Sequence, residues 1–272
     1  MKNKYLLLLL SVFISFEIQA EVLTVDKSQR ALIAVINLSQ GNEHKKIENN
    51  LIFKNEESDA FHQVKKHLNE EYDQVIYLYK ENATVDQFFF AVESLANQPQ
   101  IKAIDVIYYL HGSTQFAKHG GPGIGFFTDD KIYPHAEKVG QRLKDLTAGK
   151  LRVLYSDACW SSRQNRFWLN AGFLAVAGSA DVDTNMTLDL KRFVKKWSRG
   201  YSFQKSIDFS NKNILSQVSD HLLKGNSQKL ANGFVELNIS QMITDFKMED
   251  LDVDPTLYDF KITTQTNTPS AK

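Results

Sequence analysis

The chain has 272 residues, one cysteine, and 32 basic side chains against 32 acidic ones. A formal charge of zero argues against a dedicated nucleic-acid binder, which needs a cationic footprint. A single thiol excludes an intrachain disulfide, a multi-cysteine zinc site and an iron–sulfur cluster, while 43% hydrophobic and 24% charged residues fit a globular chain of one large domain or two small ones.

Residues 1–20 read as a secretory signal peptide. Lys2 and Lys4 precede an apolar run over residues 5–16, Glu17 ends it, and Ala20 offers a small residue for cleavage. An uncleaved anchor is the alternative, but the run is short for a membrane span, and no later stretch is long and apolar enough to cross a bilayer. Cleavage removes Lys2, Lys4 and Glu17 and leaves 30 basic against 31 acidic side chains, a charge of −1. The mature chain is therefore expected to be secreted or periplasmic, with no stable membrane span. There, an odd thiol is either a pairing hazard or kept for its reactivity.

Apolar runs over residues 31–38, 74–79, 103–110, 151–156 and 173–177 predict strands, with a sixth over 234–239. Between them lie helical patterns. Ser58 suits a cap before Phe61, Val64 and Leu68, and Thr84 with Gln87 forms a capping box before Phe88, Val92 and Leu95. Pro134 suits the first turn of a helix carrying Val139, Leu143 and Leu146. Leu190, Phe193, Val194 and Trp197 share a face, as do Ile214, Val218 and Leu222. This alternation predicts an α/β fold with a mostly parallel sheet of about six strands covered by helices on both faces. One domain over residues 21–262 is expected, with a disordered polar tail over 263–272.

Two strands end in reactive residues. The third runs into His111-Gly112 (IYYLHGS) and the fourth into Asp157-Ala158-Cys159 (VLYSDACWSS). Sites in open α/β sheets form at the carboxyl ends of strands. If these strands are neighbours, the thiol and imidazole face one substrate, the minimum for cysteine-based acyl transfer. Taken singly, the cysteine also reads as a small buried hydrophobe and the histidine as a polar loop residue.

The blocks IDVIYYLHG and LRVLYSDAC resemble the caspase-like (clan CD) cysteine peptidases, the group of caspases, metacaspases, legumains and gingipains. Cys159 stands 48 residues after His111, close to the spacing of the caspase signature. The segment GIGFFTDDKIYP between the blocks reads as a hairpin with Asp129-Asp130 at its turn, and Gly178-Ser179-Ala180-Asp181 follows the fifth strand much as in metacaspases. The chain departs from the pattern of the peptidases it resembles in having Trp160-Ser161 after Cys159. The resemblance implies a three-layer caspase-like fold. It implies Cys159 as nucleophile, His111 as general acid/base, and an oxyanion hole from the backbone N–H groups of Gly112 and Cys159. It further implies that Asp157 lines a substrate pocket that selects Arg or Lys before the cleaved bond, with Asp181 or Asp183 as the source of a second carboxylate and Ser179 among the pocket residues. Asp157 also suits a helix cap, and Arg163 and Arg166 a solvated helix face. A peptide or protein substrate is expected, with no cofactor and no metal.

The remaining signals are weaker. Gly120-Gly121-Pro122-Gly123-Ile124-Gly125 does not join a strand directly to a helix, so a loop over the site is preferred to a phosphate loop. His119 and His135 lack zinc-ligand spacing. Lys191, Arg192, Lys195 and Lys196 read as the wet face of a core helix. Asn82, Asn185 and Asn238 begin N-x-[ST] sequons. Two alternatives stand beside the peptidase: a catalytically silent binding module of the same fold, and an α/β-hydrolase-type esterase using His221 as base, although the G-x-[SC]-x-G elbow is missing.

Overall fold

The structure, a computed structural model, describes residues 21–38, 51–113, 122–128, 134–147, 149–183 and 186–244. The expected signal peptide, His119, Asp129-Asp130, Asn185 and the polar tail lie outside the described residues. In chain order the elements are β1 (Val22–Thr24), β2 (Arg30–Asn37), α1 (Leu51–Leu68), β3 (Gln74–Tyr79), α2 (Val85–Ala96), β4 (Ala103–Leu110), β5 (Gly112–Ser113) and β6 (Gly123–Ile124). They continue with α3 (Ala136–Leu146), β7 (Leu151–Ser156), α4 (Asn165–Asn170), β8 (Ala175–Ser179), α5 (Met186–Trp197), α6 (Phe203–Asn211), α7 (Ile214–Leu223), β9 (Lys229–Gly233) and β10 (Gln241–Ile243).

The central sheet has six strands in the order β3-β2-β4-β7-β8-β9. All its pairings are parallel except that of β8 with the edge strand β9. Every residue of β2, β4 and β7 is buried, as double-sided coverage requires. Alternation then sorts the side chains. Ile33, Val35, Val106 and Tyr108 pack with Phe88 and Val92 of α2, Leu143 of α3 and Trp168 of α4. Leu32, Ala34, Ile107, Tyr109 and Tyr155 face the opposite layer of α1, α5 and α6. There Phe193 stacks on Tyr155 with ring centroids 4.0 Å apart. This is the three-layer, mostly parallel six-stranded fold expected from the sequence.

One polar group is sealed into this layer. Asp105 of β4 receives Arg152 of β7 through two hydrogen bonds, Nε to Oδ1 at 2.8 Å and a terminal nitrogen to Oδ2 at 2.5 Å. Tyr72 donates to the same carboxylate. Arg152 and Asp105 are fully buried, and the fork geometry supplies the hydrogen bonds that a desolvated pair needs.

Three expectations shift. The fifth strand lies over Ala175–Ser179 rather than 173–177. The sixth is Lys229–Gly233, antiparallel, rather than 234–239. Gly233 ends it at φ 92°, a backbone region that favours glycine, and a Cβ there would lie 2.2 Å from the Leu174 carbonyl oxygen. The apolar residues beyond it pack as a cap, with Leu237 beside Leu174 and Ile239 joining the α1/α5 layer. Finally, α7 forms over the expected residues, but Ile214, Val218 and Leu222 are 72%, 51% and 73% exposed. That face lies outside the core.

Candidate active site

The two chemistry-bearing turns leave neighbouring strands. β4 and β7 run parallel with Tyr108 opposite Ser156, and Asp157 N–H continues the ladder to the Tyr108 carbonyl at 2.8 Å. Both chains therefore exit at the same sheet edge. Gly112 then packs against the backbone of Cys159: a Cβ at this position would lie 2.1 Å from the Cys159 carbonyl oxygen. Only glycine allows that approach. From below, Gly125 N–H donates to the His111 carbonyl at 2.8 Å, and β5 pairs with β6 to bring Gly125 there.

His111 is half-buried. Its Nε2 lies 3.0 Å from the Leu38 carbonyl oxygen. A carbonyl only accepts, so Nε2 carries the proton; in a neutral ring the lone pair then lies on Nδ1. Phe53 of α1 meets the ring edge-on at 5.8 Å. Leu38 is held in turn: its N–H donates to Glu57 Oε1 at 2.5 Å, and Glu57 is 3% exposed. Sequence reasoning missed this support. Its signal is a carboxylate on the buried stripe that Phe61, Val64 and Leu68 continue at helical spacing.

Cys159 is partly buried. Its Sγ accepts from the Asp183 N–H at 3.4 Å. Burial pushes the thiol up to about 11; the Asp183 carboxylate adds to that, and the Asp183 N–H and Lys229 oppose it. Trp160 follows in the left-handed region at φ 54°, a conformation that costs a side-chain-bearing residue roughly 1–2 kcal/mol. Its N–H donates to the Asp181 carbonyl at 2.9 Å. Ser161 Oγ accepts from the Ser179 N–H at 2.9 Å, tying the turn to the end of β8. The short helix over Ser161–Gln164 has Trp160 at its N-cap position and no side-chain cap, so Asp157 does not serve it as a cap.

Behind the thiol lies an acidic recess built around a lysine. Lys229 Nζ is 2.6 Å from Asp157 Oδ1, also pairs with Asp183, and lies 3.9 Å from Asp189. Tyr155 donates to Asp157 at 3.1 Å, Ser179 donates to Asp183 at 2.8 Å, and Ser227 offers its carbonyl to Lys229 at 3.1 Å. Burial alone would discharge the ammonium, but the surrounding carboxylates, Asp157 and Asp183 foremost, hold it well above the usual lysine range. Three carboxylates share one cation, and burial pushes the Asp157 carboxyl well up despite Lys229. Glu56 of α1 is pushed up by burial and then by Asp183.

Of the residues that the sequence singled out, His111, Gly112, Asp157, Cys159, Ser179 and Asp183 converge on this edge. Asp181 is half-buried beside them, its Oδ1 accepting from the Val182 N–H at 2.8 Å. His221 lies exposed in α7. His135 caps α3, its Nδ1 accepting from the Glu137 N–H at 3.3 Å. Arg163 and Arg166 are partly exposed, and Arg166 rests on the Phe167 ring. Lys229 was missed because nothing in a short, half-exposed edge strand distinguishes a buried lysine from a surface one. Among the described residues, no group of three His, Cys, Asp or Glu side chains is arranged to hold a metal ion. Nor is any described helix long and apolar enough to cross a membrane.

No protein-family model matches the chain, and no curated protein matches its sequence. Solved structures do resemble it. A secreted C11 cysteine protease from Bacteroides thetaiotaomicron, in complex with an irreversible peptide inhibitor, aligns with a TM-score of 0.38 and 7% identity, covering 61% of this chain and 54% of that one. A second structure of a secreted C11 cysteine protease from that organism, "iotapain", gives 0.38 and 11%, covering 62% of each chain. The Drosophila initiator caspase Dronc gives 0.47 and 9%, covering 79% of this chain and 83% of that one. The chain thus spans 54% and 62% of the chains in the two bacterial protease structures.

Proposed function

We propose that the chain is a secreted or periplasmic caspase-like cysteine endopeptidase working through Cys159 and His111. The observation that carries this reading is the backbone contact between the His111-Gly112 turn and the Cys159 turn at the carboxyl edge of adjacent strands.

In the proposed reaction, the Cys159 sulfur attacks the scissile carbonyl carbon and its proton passes to His111 Nδ1. The carbonyl oxygen becomes an oxyanion, met by the N–H groups of Gly112 and Cys159. His111 returns the proton to the amine, the C–N bond breaks, and a thioester remains on Cys159. Water, giving its proton to His111, then attacks the thioester carbon and releases the acid and the thiol. The Leu38 carbonyl, by fixing the proton on Nε2, keeps Nδ1 as the basic atom throughout. A resting thiol pushed up to about 11 fits a nucleophile that gives up its proton only as it attacks, rather than a standing ion pair.

Asp157, Ser179, Asp181 and Asp183 belong to the same proposal as pocket residues, with one change from the sequence expectation. The carboxylates of Asp157 and Asp183 hold Lys229 in a buried ion-pair cluster, so they back the pocket rather than offering it bare negative charge.

A silent binding module is the second reading, favoured by the raised thiol and by Trp160 in the nucleophile turn. Profiling the mature protein on a peptide library decides between them. The peptidase gives cleavage that Cys159→Ala and His111→Ala each abolish. Absence of any Cys159-dependent cleavage refutes it.

A further inference from the structure

The acidic recess is made for a cation and already holds one. Lys229 is 2% exposed, and its stem enters from β9, opposite Ser179 in the strand register. Its own N–H donates to Asn211 Oδ1 at 2.7 Å, fixing the base of the side chain. Asp157 Oδ2 is buried and meets no donor among the described residues. Around one ammonium the recess thus gathers three carboxylates and keeps an acceptor unmatched. The recess is also directly joined to the thiol: Asp183 gives its N–H to Cys159 Sγ and its carboxylate to Lys229, and Asp157 stands two residues before Cys159. The side chain preceding a cleaved bond is attached to the carbon next to the attacked carbonyl, so the space beside Sγ receives it.

We infer that Lys229 fills, from within the chain, the acidic recess beside Cys159 that a substrate's Arg or Lys would otherwise enter. It is thereby the specificity-determining residue, and the cleft takes side chains without positive charge before the cleaved bond. This rests on the peptidase reading above. A substrate ammonium brought to the filled recess finds Asp157 and Asp183 already engaged by Lys229 and its place among them taken, a discriminator against positive charge. With Lys229 shortened, the same carboxylates surround a space shaped for an alkylammonium group.

Two peptidyl acyloxymethyl ketones test the inference, identical except for lysine or norleucine at the position beside the electrophile. Labelling forms an S–CH2 bond as the carboxylate leaves with the thiol proton. Norleucine lacks only the ammonium. Wild-type protein is expected to be labelled at Cys159 at least ~10-fold faster by the norleucine probe, and Lys229→Ala is expected to reverse that preference. A second measurement reads occupancy without catalysis: n-butylammonium should raise the melting temperature of Lys229→Ala saturably, beyond an equal concentration of sodium chloride or tetramethylammonium. Should Lys229→Ala not fold, Lys229→Ala with Asp189→Asn removes one repelling charge and keeps Asp157 and Asp183. Faster wild-type labelling by the lysine probe, an unchanged preference in the folded variant, or no saturable alkylammonium effect overturns the inference. If neither probe gives His111-dependent labelling, the peptidase reading falls, and the alkylammonium titration alone upholds or overturns the filled recess.

Discussion

The state of the resting thiol can be measured directly, because Cys159 is the chain's one cysteine. Burial lifts it from an ordinary value of 9.0 to about 11. At pH 7 the thiolate fraction is then about 100-fold below that of an ordinary thiol, since each pKa unit is tenfold. A more basic thiolate is intrinsically more nucleophilic, with a Brønsted slope of about 0.4–0.5, which returns roughly tenfold. Iodoacetamide should therefore alkylate native Cys159 at least ~10-fold more slowly than the same thiol in denatured protein. Log rate should climb with pH through 9 without levelling. Stability carries the same signature. The folded value lies above the unfolded one, so this contribution is intact below about pH 9 and is lost as pH rises toward 11. A rate plateau at or below pH 8, or equal alkylation of native and denatured protein at pH 7, refutes the placement of a dry, protonated thiol.

Other perturbations separate the site from its scaffold. Gly112→Ala puts a methyl group 2.1 Å from the Cys159 carbonyl, so the turns must part; peptide cleavage should fall at least ~100-fold, as for loss of an oxyanion donor, and full activity would contradict the contact. Arg152→Leu strands the buried Asp105 carboxylate and should cost about 3–5 kcal/mol in urea unfolding, with Asp105→Asn added recovering part of it. Glu57→Ala removes the acceptor that holds Leu38 and, through it, His111. Turnover should drop roughly 10–100-fold with a shifted pH profile, whereas Glu57→Gln, which keeps an acceptor oxygen, should stay near wild type. An Ala variant with an unchanged pH profile would reduce Glu57 to a structural role.

The legible parts of the fold are those buried on both faces. β2, β4 and β7 are continuous apolar runs, and their carboxyl ends placed His111, Asp157 and Cys159 on one edge from sequence alone. β9 escaped because an antiparallel edge strand, mostly half-exposed, carries neither an apolar run nor strict alternation. The apolar signal of residues 234–239 belonged instead to a cap over the sheet. In α7 the periodicity was real but its partner surface was not, since Ile214 and Leu222 face outward. The recess shows a further limit. Asp157 and Asp183 read as bare pocket carboxylates until the fold brought Lys229, 46 residues beyond Asp183, between them. Trp160 marks the reverse case: a departure visible in the sequence acquired its physical meaning only as a left-handed residue next to Cys159.

Trapping the covalent intermediate tests the central claim most directly. Mature protein is incubated with the norleucine peptidyl acyloxymethyl ketone, digested, and analysed by mass spectrometry, beside His111→Ala and Cys159→Ala variants. A single adduct is expected on the peptide containing Cys159, formed in the wild type, strongly slowed in His111→Ala and missing in Cys159→Ala. An adduct elsewhere on the chain, or equal labelling with and without His111, would contradict it.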